Sequence, residues 1–250
     1  MTPQTAQLLR RLAEEHETAA FYRNADGSAR DPAWFLHRGA KPEDCEAMAF
    51  VASALSFGRR EAFLRKISSI EEMCGGRACD WLRDGAFREH FPDDAADKFY
   101  RFFSYADMRR FFARLGEIIR EEGSLGGYVR RRRPDGGLAA ARVLCGAFAP
   151  CGGGIVPKTG VSACKRVCMF LRWMARDGSP VDLGLWKGFV DKTTLAIPLD
   201  VHVLKQARSF GLTRRKDGSM RTALEITAAL REVFPEDPLK GDFALFGADV

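Results

Sequence analysis

Two residues of the chain combine reactive side chains with positions at the start of a structural element. Lys165 follows the turn Pro157-Lys158-Thr159-Gly160 and lies near the start of a stretch, Val161 to Arg176, whose apolar residues Val161, Cys164, Val167, Cys168, Leu171 and Met174 form a helical stripe. Asp200 follows Ile197-Pro198-Leu199 and precedes Val201-His202-Val203-Leu204, the position of an N-cap for a helix that Gly211 ends. A lysine amine is a nucleophile toward an electrophilic carbon only when neutral. Moving its pKa from about 10.4 to about 7–8 corresponds to roughly 4 kcal/mol of destabilisation of the ammonium. A carboxylate at a helix N-terminus is favoured in its ionised form and can stabilise a developing cation. Taken one at a time, a surface lysine and a structural cap account for both residues.

Other candidate sites are weaker. Gly152-Gly153-Gly154 lacks the Gly-Lys-Ser/Thr ending of a phosphate loop and reads as a connection. Cysteines 145, 151, 164 and 168 match no zinc or iron–sulfur spacing, and histidines 16, 37, 90 and 202 form no pair. No metal and no cofactor is implied.

The elements that must position the lysine and the aspartate are helical, giving an all-α chain of about ten helices. Thr2-Pro3 starts a helix to about Ala20, and further helices are expected over 43–57, 60–73, 94–103, 105–121, 136–148 and 161–176. Asp237-Pro238 repeats the cap-plus-proline signature for a last helix to about Gly247. No linker or internal repeat divides the chain, so 1–250 reads as a single unit. Residues 1–150 make its helical N-terminal part, and residues 151–250 carry the turn, Lys165, Asp200 and the last helix.

The chain has 250 residues, 46% hydrophobic and 29% charged, with a net charge of +6. Residues 158–216 hold six Lys and six Arg against four Asp and no Glu, a net of +8, so the remainder sums to −2. A second basic cluster is Arg130-Arg131-Arg132-Arg133. Such localisation suits a polyanionic partner, with an ordinary solvated surface as the alternative. The aromatic segment Phe99 to Phe112 reads as core, with base stacking as its alternative. No run of about eighteen apolar residues exists and no secretory signal is visible, while seven irregularly spaced cysteines suit reduced thiols, so a cytoplasmic protein without a membrane span is expected.

The string "IPLDVHV" at 197–203, downstream of a lysine that follows a Gly-containing turn, resembles the helix-hairpin-helix–GPD superfamily of DNA glycosylases. "SACKRVCMFLRWMAR", "PLDVHV" and "DPLKGDFALFG" are closer still to an uncharacterised bacterial family of about this length, related to archaeal 8-oxoguanine DNA glycosylases. The resemblance implies a helix-hairpin-helix glycosylase-like bundle and base excision with abasic-site lyase activity on an oxidised purine such as 8-oxoguanine. Lys165 would be the Schiff-base nucleophile and Asp200 the carboxylate that stabilises the sugar cation. The partner would be double-stranded DNA containing a damaged base, with no obligate protein partner, and the protein would associate with the nucleoid through DNA. Lys158, Thr159, Gly160 and Val161 of the hairpin, with Arg166, Arg172, Lys205 and Arg208, would meet phosphates. Phe246, Trp173 and Trp34 would line the base pocket, with Phe246 first and Phe35 a further stacking candidate.

The hairpin departs from the family's Gly-Val-Gly-x-Lys: here Gly160-Val161-Ser162-Ala163-Cys164-Lys165 lacks the second glycine and places the lysine one residue later. The 35-residue step from Lys165 to Asp200 requires an inserted element near Leu183–Phe189. Lys158 is therefore a second candidate nucleophile. A non-catalytic helix-hairpin-helix DNA-binding protein is the alternative function. A third is a small-molecule enzyme or interaction scaffold without DNA affinity.

Overall fold

A computed structural model describes residues 1–93, 96–160 and 162–248. Among them the fold is all-α, with eleven α-helices: α1 (Pro3–His16), α2 (Pro42–Leu55), α3 (Arg60–Cys74), α4 (Ala78–Arg83), α5 (Tyr105–Glu122), α6 (Leu125–Arg131), α7 (Gly136–Ala147), α8 (Lys165–Ala175), α9 (Val201–Ser209), α10 (Met220–Arg231) and α11 (Lys240–Gly247). Local chemistry explains the starts. Thr2 Oγ1 accepts the Thr5 amide at 3.1 Å with Pro3 in the first turn, and Ser104 and Asp107 form a reciprocal capping box at 3.1 and 2.8 Å.

Helix α2 is buried on every face from Glu46 to Leu55 and forms the centre of the main core. Its Phe50 ring lies 5.8, 4.9 and 5.0 Å from those of Phe111, Phe148 and Phe170. Glu46 is buried in this helix yet fully used: its carboxylate accepts the Leu125 and Gly126 amides at the start of α6 (2.8 and 3.0 Å) and the Trp186 indole N–H (2.6 Å). A second cluster unites Leu9 and Ala13 of α1 with Ile197, Leu199, Val203, Ile226, Leu230 and Leu245. The first helix thus packs on the last.

Three expectations need correction. Residues 98–104 form an antiparallel hairpin, β1 (Lys98–Tyr100) with β2 (Phe103–Ser104), instead of the end of a helix over 94–103, whose residues 94 and 95 lie outside the described ones. Aromatic residues favour a pleated pair, and Arg101 turns the chain at φ 54°. The helix expected from Val161 begins at Lys165, because Cys164 adopts the left-handed conformation (φ 49°, ψ 40°). The last helix begins at Lys240, and Asp237 does not cap it with its side chain; its carboxylate meets the Arg176 guanidinium at 2.8 and 2.7 Å.

That contact belongs to a buried ionic network. Arg172 and Arg176, one turn apart on α8, are 4% and 1% exposed. Arg172 meets Asp182 (3.3 Å) and Asp242; Arg176 meets Asp182, Asp237 and Glu17 (2.8 Å to Glu17). Removing one partner from such a network leaves an uncompensated buried charge. Asp182→Ala should lower unfolding free energy by about 3–5 kcal/mol in urea denaturation at pH 7; a loss below about 1 kcal/mol would mean that the remaining carboxylates satisfy both arginines.

Candidate functional site

Lys165 is the first residue of α8, and Asp200 is the N-cap of α9. One Asp200 oxygen, Oδ1, accepts the His202 and Val203 amides, each at 2.9 Å. The other, Oδ2, lies 2.9 Å from Lys165 Nζ, with the side chains 36% and 27% exposed. Two residues 35 positions apart are therefore joined at one point, each projecting from a helix start. Burial works to raise the Asp200 pKa, but the lysine charge and the helix amides outweigh it and hold the carboxyl below its ordinary value.

The pair borders a cavity of about 370 Å³, within the size range of small-ligand sites. Helix periodicity along α8 brings Lys165, Met169, Arg172 and Trp173 to it, and α11 contributes Asp242 and Phe246 at i, i+4. Phe21 and Asp31 come from the irregular segment after α1, Arg60 from the start of α3, and Pro198 and His202 from the entrance to α9. The Phe246 ring is half-buried, 4.8 Å from the Phe21 ring, with the Arg60 guanidinium 5.6 Å from its centre. The walls thus combine aromatic faces with charged groups.

Two carboxyls in this wall have raised pKa values. Burial dominates at Asp31, against the Ala33 amide and the charges of Arg172, Arg60 and Lys165; burial also dominates at Asp242, against Arg172. Asp31 Oδ1 accepts the Ala33 amide at 3.0 Å. Neither carboxylate was singled out from sequence. Asp242 could have been found from its i, i+4 relation to Phe246, whereas Phe21 and Asp31 lie in segments without periodicity.

The structure separates the remaining candidates. Arg172 is not a phosphate contact, because it is buried in the ionic network. Arg166 is likewise turned inward: its guanidinium donates to the carbonyls of Ala54 (2.6 Å), Ile155 (2.7 Å) and Gly154 (3.1 Å), and burial pushes its pKa down to about 10. Trp34 is not in the cavity wall; its indole donates to Gly27 O at 3.0 Å and its ring carries the Arg38 guanidinium at 4.3 Å. Phe35 is fully buried against it. Trp173 does line the cavity but has no exposed surface, so it supports the wall from behind. Lys205 and Arg208 lie exposed on α9.

Lys158, Thr159 and Gly160 are exposed in the loop between α7 and α8 and do not line the cavity; Val161 lies outside the described residues. This connection runs over residues 148–164, with Gly152, Gly153 and Gly154 all at positive φ (67°, 62° and 70°), so a tight hairpin does not join the two helices.

The core reading of the Phe99–Phe112 segment fails at Phe102, at the tip of the β1–β2 hairpin and 56% exposed, whereas Phe99, Tyr100, Phe103, Phe111 and Phe112 are buried. Phe102 packs 5.3 Å from the Phe57 ring, beside Gly58 of the cavity wall.

Because the folded Asp200 pKa lies below its unfolded value, its contribution to stability is present above about pH 4 and is lost as pH falls through the folded pKa. Asp200→Asn should therefore lower Tm at pH 7, and the difference from wild type should shrink steadily below pH 4 in a pH series of thermal melts. A difference constant with pH would show that the Lys165 pair adds nothing to folding.

Comparison with known proteins finds no matching curated protein and no matching solved structure. Residues 31–250 match a family model described as "Protein of unknown function (DUF2400)", a match that covers most of the chain, and the chain belongs to that family.

Proposed function

We propose that the protein is a DNA glycosylase with associated abasic-site lyase activity, acting on a damaged base, an oxidised purine such as 8-oxoguanine, in double-stranded DNA. The observation that carries this reading is the 2.9 Å Lys165–Asp200 pair at the border of an aromatic-walled cavity of about 370 Å³. Reaching the sugar C1′ requires the nucleotide to leave the duplex, at a cost of a few kcal/mol. The flipped base would enter the cavity and stack on Phe246, with Phe21 behind it.

Once neutral, Lys165 Nζ attacks C1′, the C1′–N bond breaks and the base departs with the bonding pair. Asp200 stands beside the amine, where its negative charge stabilises the cation developing on the sugar. Loss of the amine proton and opening of the sugar ring give the imine, and β-elimination then breaks the 3′ C–O bond. Phe102, exposed on a hairpin beside the cavity wall, is suited to fill the gap left in the stack. Lys205 and Arg208 on α9, with Lys158 and Thr159 of the α7–α8 loop, supply the exposed positions for backbone phosphates. The long α7–α8 connection favours a second reading, a DNA-binding protein that keeps the fold without the chemistry.

Lys165→Gln should abolish the borohydride-trapped adduct with abasic DNA while leaving DNA binding within about twofold. Asp200→Asn should keep trapping on abasic DNA and lose most base excision. Persistence of the adduct in Lys165→Gln moves the nucleophile elsewhere, with Lys158→Gln the next variant. A wild-type protein that binds DNA but traps nothing is the non-catalytic reading.

Stacking is worth roughly 1–3 kcal/mol per base, so Phe246→Ala should slow excision about 5- to 150-fold and leave cleavage of a preformed abasic site much less affected. Equal losses on both substrates would remove Phe246 from the base pocket. Lys205→Glu should flatten the salt dependence of binding by about one unit of slope per lost phosphate contact; an unchanged slope would take α9 off the DNA face.

A further inference from the structure

The Arg130–Arg133 cluster has no part in the cavity at Lys165. It lies at the end of α6, and its Arg130, Arg131 and Arg133 line an open cleft of about 670 Å³ with Glu122, Pro134 and Phe189. The neighbouring hollow shares Phe189 and is lined by Ala175, the last residue of α8. Lys165 begins that helix ten residues earlier, about 15 Å away along the axis. The cleft is thus a separate feature at the opposite end of α8.

Its charges are unequally satisfied. Glu122, with its side chain only 8% exposed, holds Arg131 at 2.9 Å and Arg132 at 3.7 Å. Arg132 also stacks on Tyr128, 3.3 Å from the ring centre. Among the described residues, Arg130 and Arg133 have no carboxylate partner. The Arg130 guanidinium lies over the half-buried Phe189 ring at 5.9 Å, and that ring is braced by Trp186 at 5.4 Å. Arg133 follows the cap of α6 in the left-handed conformation (φ 44°), where glycine is the unstrained choice. An arginine in a strained backbone position, beside a second arginine without a carboxylate partner in the same cleft, points to a bound anion.

We propose that this cleft is a nucleotide site: Arg130 and Arg133 hold the phosphate monoester, and the base lies against Phe189. Two guanidinium forks match phosphate oxygens, and Arg130, by turning from the Phe189 ring to the phosphate, uncovers the flat apolar face that a base requires. The site does not depend on the glycosylase reading.

Isothermal titration of the full chain with AMP, GMP and inorganic phosphate tests it. A nucleoside monophosphate should bind at least tenfold more tightly than inorganic phosphate. Arg133→Gly should weaken nucleotide binding tenfold or more while keeping or raising Tm, since glycine accepts the backbone without strain. Arg130→Gln should weaken it similarly, and Phe189→Leu should bring the nucleotide down to the affinity of phosphate. Lys165→Gln should change nothing, which separates this site from the DNA-processing one. The proposal is overturned if no ligand saturates at millimolar concentration, if phosphate binds as well as nucleotide, or if Arg133→Gly leaves affinity unchanged or lowers Tm.

Discussion

The buried pairing of Arg172 and Arg176 with Asp182 is the constraint on which the functional face depends. Two guanidiniums one turn apart on α8 can be desolvated only if carboxylates meet them, and those carboxylates come from three other segments: Glu17 after α1, Asp182 in the long connection after α8, and Asp237 and Asp242 at α11. Because an unmatched buried charge is so costly, α8 has one permitted rotation relative to these segments. That rotation also sets the direction of Lys165, two turns earlier on the same helix, and of Met169 between them. Asp242 in turn fixes α11, so Phe246, one turn further on, faces the same cavity.

The network changes the meaning of the chain's charge. Residues 158–216 carry a net of +8, yet two of their arginines, Arg172 and Arg176, are buried against acids, and a half-buried third, Arg166, is spent on the carbonyls of Ala54, Ile155 and Gly154. Asp182 of the same segment is buried with Arg172 and Arg176, so the exposed excess of positive charge stays close to the count. What remains outside is concentrated in few places, among them the exposed face of α9 with Lys205 and Arg208 and the cleft at Arg130 and Arg133. Lys165 is intermediate, one-third exposed and held by a carboxylate whose second oxygen is committed to the helix amides. That commitment explains the geometry of the pair: Asp200 cannot rotate away from the amine without giving up two hydrogen bonds.

Much of the architecture was legible because helices advertise themselves locally. Periodic apolar stripes, Thr2-Pro3, and Gly58 after α2 mark elements whose hydrogen bonds close within a few residues, so composition and spacing were enough. Local reasoning failed where a distant partner decided. Asp237-Pro238 has the form of a helix cap, but Arg176 recruits the aspartate. The aromatic run at 99–103 has a helical look until the chain turns at Arg101 and pairs with itself. Arg172 and Arg166 carry the same charge as any phosphate ligand, and only burial distinguishes them.

The candidate site divides in the same way. Sequence alone determined that Asp200 caps a helix, that Lys165 lies near the start of another and that Phe246 lies on the last one, because capping and periodicity are properties of neighbouring residues. Only the tertiary structure decided that the amine and the carboxylate meet at 2.9 Å, that Phe21, Asp31 and Arg60 join them, and that Trp34 stays outside. The reason is that a cavity wall is assembled from segments far apart in the chain, whose relative placement is set by the burial of charge and apolar surface between them rather than by any local preference.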